Sequence, residues 1–312
     1  MNILIVGFGN MGCRHTQSLI NSNVDHNYFV LEPNKEIFIK NVERINCSVD
    51  QFKWFDDIKN IPKNIEFAII ATSAEPRFGL MKSLIYNGVK KFLLEKIVFQ
   101  SKEQFEVIIS LLEENGCVAY CDFVNRYYKH YVDIKDGLVQ NKPITMFVSG
   151  GDIRLGSNAL HYVDLFEYLT GHQSKISHDN LKENKNVSKK GKIYRELLGQ
   201  LVLSTSNGDL LIISANEDKP YSTEIIINQE SQCHILNEQT KNYISFEKNT
   251  GLDIKDSNVL FSSQLTNTIY NDIINGTTLL PSVKQTKNCH LELFRVANKV
   301  FRLDKDELCP MT

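Results

Sequence analysis

Three glycines stand close together near the start of the sequence, in Gly7-Phe8-Gly9-Asn10-Met11-Gly12. This G-x-G-x-x-G spacing suits a cradle for the diphosphate of a dinucleotide. Gly7 would allow a tight turn, Gly9 would let phosphate oxygens approach the main chain, and Gly12 would let a helix lie close to a strand. A helix opening at the motif would aim unpaired N–H groups and a partial positive charge at the diphosphate. Gly7, Gly9, Asn10, Met11 and Gly12 are therefore the candidate diphosphate residues. Glu32 lies 20 positions beyond Gly12 (32 − 12), where a carboxylate can accept from a ribose 2′-hydroxyl and repel a 2′-phosphate. Pro33 and Asn34 supply no guanidinium, and Lys35 is the nearest cation. The expected cofactor is NAD rather than NADP.

These residues need strands and helices to hold them. Residues 3–6 form a short apolar run that reads as a strand buried on both faces, and 13–20 read as the following helix. Residues 28–31 read as a second strand, with Glu32 at its end. A third buried run at 67–71 is followed by Thr72 and Ser73, then by a helix over 78–87 with Gly88 just beyond it. Residues 91–94 form a strand ending in Glu95-Lys96, 103–114 a helix stopped by Asn115-Gly116, and 117–120 a further strand. Strands alternating with helices predict a parallel sheet with right-handed crossovers, which binds ligands at the carboxyl ends of its strands. Glu32, Thr72, Glu95 and Lys96 should converge there.

The pattern changes near residue 122. A helix over 131–140 precedes strands at 144–149, 197–204, 209–215, 222–227, 232–236 and 242–247, with Asn207-Gly208 as a hairpin signal. This predicts an α+β domain over 122–312 with a mostly antiparallel open-faced sheet, after a nucleotide-binding α/β domain over 1–121. Residues 182–192 are rich in Lys and Asn and read as a surface loop. Helices are expected over 260–274 and 289–301; the last, about 287–302, could pack back on the first domain.

Composition narrows the function. With 35 Lys+Arg against 37 Asp+Glu in 312 residues, the net charge of −2 provides no general field for nucleic acid or an anionic membrane. No apolar stretch approaches the roughly 20 residues that span a bilayer. Seven scattered Cys read as reduced thiols in a cytoplasmic protein, and none of them completes a zinc site, so no metal is expected.

The sequence resembles the Gfo/Idh/MocA family of sugar and polyol oxidoreductases. The likeness rests on the Gly7–Gly12 fingerprint, Ala71-Thr72, Leu94-Glu95-Lys96, Asn125-Arg126-Tyr127-Tyr128, and His161-Tyr162-Val163-Asp164 before Leu165–Gly171. It implies an NAD-dependent enzyme moving a hydride between nicotinamide and a secondary alcohol or ketone of a sugar, polyol or nucleotide-linked sugar. Thr72 and Glu95 would line the nicotinamide side. Lys96 would contact substrate, its pKa lowered beside a positively charged nicotinamide, and would stabilise a developing alkoxide. His161 would take the hydroxyl proton. Asn125, Arg126, Ser157 and Asp164 are further substrate-side candidates, Asp164 either orienting His161 or facing a domain contact. The resemblance also implies a homodimer or homotetramer through the open sheet. Three positions depart from the family pattern: Ile97 replaces a proline, Ser157 an aspartate and Arg77 a histidine. Two alternatives follow from the same likeness, an NAD-recycling glycosidase or lyase and a non-catalytic nucleotide-binding regulator.

Overall fold

The computed structural model describes residues 1–312 except 23, 152, 186–193, 217–221, 249–250 and 258. The chain forms two compact units. The first holds Met1–Val124 with Leu260–Gln285, the second Asn125–Val259 with Thr286–Thr312.

In the first unit the order is β1 (Asn2–Val6), α1 (Asn10–Ile20), β2 (Asn27–Leu31), α2 (Lys35–Arg44), β3 (Phe52–Phe55), β4 (Phe67–Ile70), α3 (Ala74–Tyr86), β5 (Lys91–Leu94), α4 (Lys102–Glu114) and β6 (Val118–Cys121). The six strands are all parallel in the order β3-β2-β1-β4-β5-β6. The chain reverses direction across the sheet between β1 and β4, which opens a crevice at the carboxyl ends of those strands. The apolar runs form central strands because both faces are covered. Leu4, Ile5, Phe67, Ile69, Phe92 and Leu93 are fully buried, each contributing about 1.5–3 kcal/mol.

Two elements of this unit are absent from the sequence reading. Helix α2 buries only Phe38 and Val42 and is otherwise polar; it starts because the Asn34 side chain accepts from the N–H groups of Glu36 and Ile37. Strand β3 has four residues, with Lys53 exposed at its centre.

Helix α7 (Ser262–Asn275) belongs to the first unit, where its Asn267 N–H donates to Ser18 on α1 at 3.0 Å. From Thr286 onward, α8 (Val283–Phe301) lies in the second unit. Glu292 there accepts from Ile176 N–H and Arg295 donates to its carbonyl.

The second unit contains α5 (Lys129–Gly137), β7 (Thr145–Gly150), α6 (Leu155–Thr170), β8 (Lys175–Glu183), β9 (Leu197–Ser204), β10 (Leu210–Ala215), β11 (Glu224–Gln229), β12 (Gln232–Asn237), β13 (Asn242–Glu247) and β14 (Gly251–Asp256). They make an eight-stranded sheet in the order β14-β13-β12-β11-β7-β10-β9-β8. It is antiparallel except where β7 runs parallel to β10. The fold is therefore α/β in the first unit and α+β in the second, as the sequence pattern predicts. Gly208 adopts φ +87° between β9 and β10, which accounts for the Asn207-Gly208 signal. Lys182 lies in β8, so the expected loop at 182–192 begins later; residues 186–193 fall outside the described residues.

One sheet face is apolar and closed, with Met146, Val148, Leu211, Ile213, Ile225 and Ile227 all buried. On the other face, register sets Phe147, Ile226, Ile235, Ile244 and Ile254 in one cross-strand row. Ile235 is 40% exposed and Ile254 68%. Among the described residues, no helix is long and apolar enough to cross a membrane.

Candidate nucleotide-binding site

The glycine loop joins β1 to α1, and each glycine has its own geometry. Gly7 adopts φ +83°, and a Cβ there would come within 2.9 Å of the Thr72 methyl group. At Gly12 a Cβ would meet the Gly7 carbonyl oxygen at 2.1 Å. These two glycines let the turn close and the helix approach the strand. Gly9 differs, because a Cβ there would meet nothing within 4 Å. It caps α1 without a side-chain hydrogen bond, so the first-turn N–H groups stay available to a ligand. The helix starts at Asn10, three residues earlier than its apolar pattern suggests, which brings Asn10, Met11 and Gly12 into that first turn.

A cavity of about 530 Å³ opens beside this loop, lined among others by Gly7, Gly9, Glu32, Asp56, Asp57 and Thr72. Glu32 sits at the end of β2. Its carboxylate accepts from the N–H of Phe8 at 3.0 Å and of Asn34 at 3.2 Å, which fixes it against the glycine loop and leaves further lone pairs for a hydroxyl. Asp56 and Asp57 bring two more carboxylates to the same cavity, and the sequence reading does not single them out. Leu31 pairs with Phe55, so recognising β3 would have placed both at the strand end beside Glu32. The nearest cation in sequence, Lys35, lies over the Trp54 ring at 5.3 Å. Arg44, at the end of α2, donates to the Asn10 side chain and so puts a guanidinium beside the glycine loop. An open glycine flank, a helix N-terminus and carboxylates able to accept from ribose hydroxyls fit a dinucleotide.

Thr72 is half-buried on the cavity wall. Glu95 does not line this cavity: it is 9% exposed and its carboxylate lies 3.2 Å from His15 Nε2 on α1. Lys96, next in sequence, is half-buried, and the Lys96–Ile97 peptide is cis. Arg77 is fully buried, and its guanidinium donates to the carbonyls of Thr72, Glu95, Ile97 and Val98. It thus ties the end of β4 to the segment around Lys96, a task suited to its fork of donors. His15 also reaches Thr266 at 2.8 Å and Asp122 at 3.8 Å. One ring nitrogen of His15 and one carboxylate oxygen each of Glu95 and Asp122 lie within 4.8 Å of one another.

In the second unit, α6 carries Ser157, His161 and Asp164 at i, i+4 and i+7, on one helix face. His161 is half-buried. Arg126 grips Asp164 with two parallel bonds of 2.9 and 2.7 Å, and its guanidinium lies 5.2 Å from the Tyr168 ring centre. Burial pushes the Asp164 carboxyl up to about 6, against the lowering effect of Arg126. Asn125 is also buried. Ser157 donates its hydroxyl to Glu196 at 2.6 Å, and Glu196 accepts the Ser157 and Leu197 N–H groups as well. A buried carboxylate therefore stands against Ser157, although Glu196 is 39 positions away in sequence. Lys96 belongs to the first unit and His161 to the second.

Residues 1–123 match the family described as an oxidoreductase family with an NAD-binding Rossmann fold, GFO_IDH_MocA. Several solved structures share the fold across both units. UDP-N-acetylglucosamine 3-dehydrogenase GnnA from Acidithiobacillus ferrooxidans is 12% identical, with a TM-score of 0.76 over 95% of this chain and 96% of that one. A dehydrogenase (MviM) from Clostridium difficile is 16% identical, with a TM-score of 0.73 over 97% and 99%. Gal80p from Saccharomyces cerevisiae, in a super-repressor mutant, is 14% identical, with a TM-score of 0.71 over 97% and 95%. At these identities the likeness is one of fold. No curated protein matches the sequence.

Proposed function

We propose that this chain, whose residues 1–123 carry the NAD-binding Rossmann fold of the Gfo/Idh/MocA oxidoreductases, is an NAD-dependent enzyme acting on a secondary alcohol or ketone of a sugar, polyol or nucleotide-linked sugar. The supporting observation is the cavity at the glycine loop, which brings the open side of Gly9 together with the carboxylates of Glu32, Asp56 and Asp57. Three carboxylates favour a ribose with free hydroxyls over one bearing a 2′-phosphate. When bound, NAD would supply the acceptor or donor of a hydride. The Lys96 ammonium would stabilise negative charge developing on the substrate oxygen, and the His161 imidazole would take or return its proton. The nucleotide-sugar dehydrogenase among the similar folds supports including nucleotide-linked sugars.

The exposed row from Phe147 to Ile254 suits a homodimer through the open sheet, since a sheet that leaves such a row to water is poorly soluble alone. Seven cysteines without a disulfide suit a cytoplasmic setting.

Titration with NADH and NADPH, read by nicotinamide fluorescence, tests cofactor choice. NADH should bind about tenfold tighter or more, a difference near 1.4 kcal/mol; tighter NADPH binding would overturn the assignment. Turnover of a sugar and nucleotide-sugar panel, followed at the reduced-nicotinamide absorbance, tests the reaction. Lys96→Met and His161→Asn should each lower kcat by about 10²-fold or more. A regulator is the second reading, favoured by Ser157 in place of the family's aspartate and by the fold shared with Gal80p. Tight NADH binding with no turnover, unchanged in both variants, would select it.

A further inference from the structure

The proposed chemistry leaves three buried ionisable side chains of the first unit unused. His15 comes from α1, Glu95 follows β5 and Asp122 follows β6; they are 0%, 9% and 3% exposed. Charge in such a place persists only if it is compensated. Hydrogen-bond direction locates the protons. Thr266 on α7 donates its one hydroxyl proton to the Ser262 carbonyl at 2.7 Å, so it accepts from His15 Nδ1–H at 2.8 Å. His15 Nε2 then faces Glu95 Oε1 at 3.2 Å and Asp122 Oδ2 at 3.8 Å. A neutral ring would turn its lone pair on those oxygens, whereas an imidazolium turns a proton toward them. Asp122 Oδ1 is buried without a hydrogen-bond partner, so an ionised Asp122 would be a second negative charge competing for one imidazolium. The group is neutral when His15 is charged, Glu95 ionised and Asp122 protonated.

We propose that His15, Glu95 and Asp122 form a buried proton-sharing network that positions Lys96; what Lys96 then does rests on the oxidoreductase reading above. The residue before Lys96 is held at every polar group. Its N–H donates to the Ile70 carbonyl at 3.1 Å, its carbonyl accepts from Arg77, and its carboxylate is tied to His15. Arg77 also takes the Ile97 carbonyl on the other side of Lys96. The titratable groups facing Glu95 are His15, Lys96, Arg77 and Asp122, and α7 contributes the uncharged Thr266 to the other side of His15. Burial, helped by Glu95 and opposed by His15, pushes the Asp122 carboxyl up to about 7. Burial acts on Glu95 in the same sense, but the hydrogen bond and charge of His15, with Lys96 and Arg77, hold it below the ordinary value. Above neutral pH, Asp122 loses its proton, the imidazolium is divided between two carboxylates, and the grip on Glu95 loosens.

Three measurements on the full chain test this without turnover. Nitrogen-15 NMR should show His15 protonated on both ring nitrogens at pH 6; a neutral ring would overturn the network. Asp122→Asn keeps the shape and removes the titration. The raised folded pKa means that the contribution of Asp122 to stability is complete below about 4 and lost as pH rises through about 7. The Tm of Asp122→Asn should therefore gain on the wild type between pH 5 and pH 8, and a constant difference would overturn the network. Carbon-13 methylation of Lys96 reports its titration, which should move down in Asp122→Asn because the network that reaches it through Glu95 then carries one negative charge fewer. An unchanged Lys96 would overturn the coupling. Failure to turn over any alcohol would reject the oxidoreductase reading instead, leaving these three results to judge the network.

Discussion

The first unit covers its parallel sheet on both faces, and every strand-end carboxylate of the cavity lies where β2 and β3 stop. The second unit covers one face of its antiparallel sheet and leaves an apolar row from Phe147 to Ile254 on the other. A two-sided core leaves only strand ends free to bind, so ligand chemistry gathers in the loops at one edge. A one-sided core leaves a whole face, which suits a broad surface and not a small pocket. The same contrast governs tolerance to change: ends are limited by backbone clearance, faces by side-chain burial.

The largest effect should follow from closing the backbone clearance. Gly12→Ala puts a Cβ 2.1 Å from the Gly7 carbonyl oxygen, which is main chain and cannot swing aside as a side chain would. A loss of about 3 kcal/mol is expected by denaturant unfolding, with loss of NADH binding. A wild-type midpoint would mean that α1 can slide away from β1, and that the strand end is softer than its burial implies. A smaller effect, about 2 kcal/mol, should follow in the second unit from Arg126→Met, which strands the buried Asp164 carboxylate. Its pH dependence has a definite sign. The folded pKa of Asp164, about 6, lies above its ordinary value, so its contribution to stability is complete below about 4 and lost as pH rises toward 6. Arg126→Met removes the lowering influence, so the loss should extend to higher pH. A Tm profile parallel to wild type across pH 4–8 would refute this account of the pair.

The same contrast explains what was legible in the sequence. Gly7, Gly9, Gly12 and Glu32 could be read directly, because strand, turn and helix follow one another and each glycine has a local task. Asp56 and Asp57 were missed because β3 is four residues with an exposed Lys53, too short and polar to show alternation. His15 was missed because one histidine on an apolar helix face carries no signal; its partners Glu95, Asp122 and Thr266 come from three later elements. In the second unit, strands 197–204 and 242–247 were plain, while β8 and β14 were not. Both are edge strands, and β14 buries none of its side chains. Glu196 could not be linked to Ser157, since they meet only through the packing of α6 against β9.

On the open face, Ile235→Lys tests what the row is for. Ile235 is 40% exposed in the single chain, so unfolding stability at low protein concentration should change by no more than about 0.5 kcal/mol. Sedimentation should show the homodimer proposed for this face weakened, since a charge at the centre of an apolar interface must be desolvated. An unaltered oligomeric state would overturn the proposed role of this face.

The smallest effect on folding should come from Gly9→Ala, three residues from the most damaging change. A Cβ at Gly9 meets nothing within 4 Å, and its φ of −76° is open to any L-residue, so stability should stay within about 0.5 kcal/mol of wild type. The space that the methyl group enters is the space a diphosphate would use beside the first turn of α1. NADH affinity should therefore fall, by about tenfold for a displacement of the phosphate from the N–H groups. A folded variant with weakened NADH binding separates the two uses of glycine in one loop: Gly12 for packing, Gly9 for the ligand. If NADH bound Gly9→Ala as tightly as wild type, the diphosphate would have to lie elsewhere, and the strand-end account of the first unit would lose its main support.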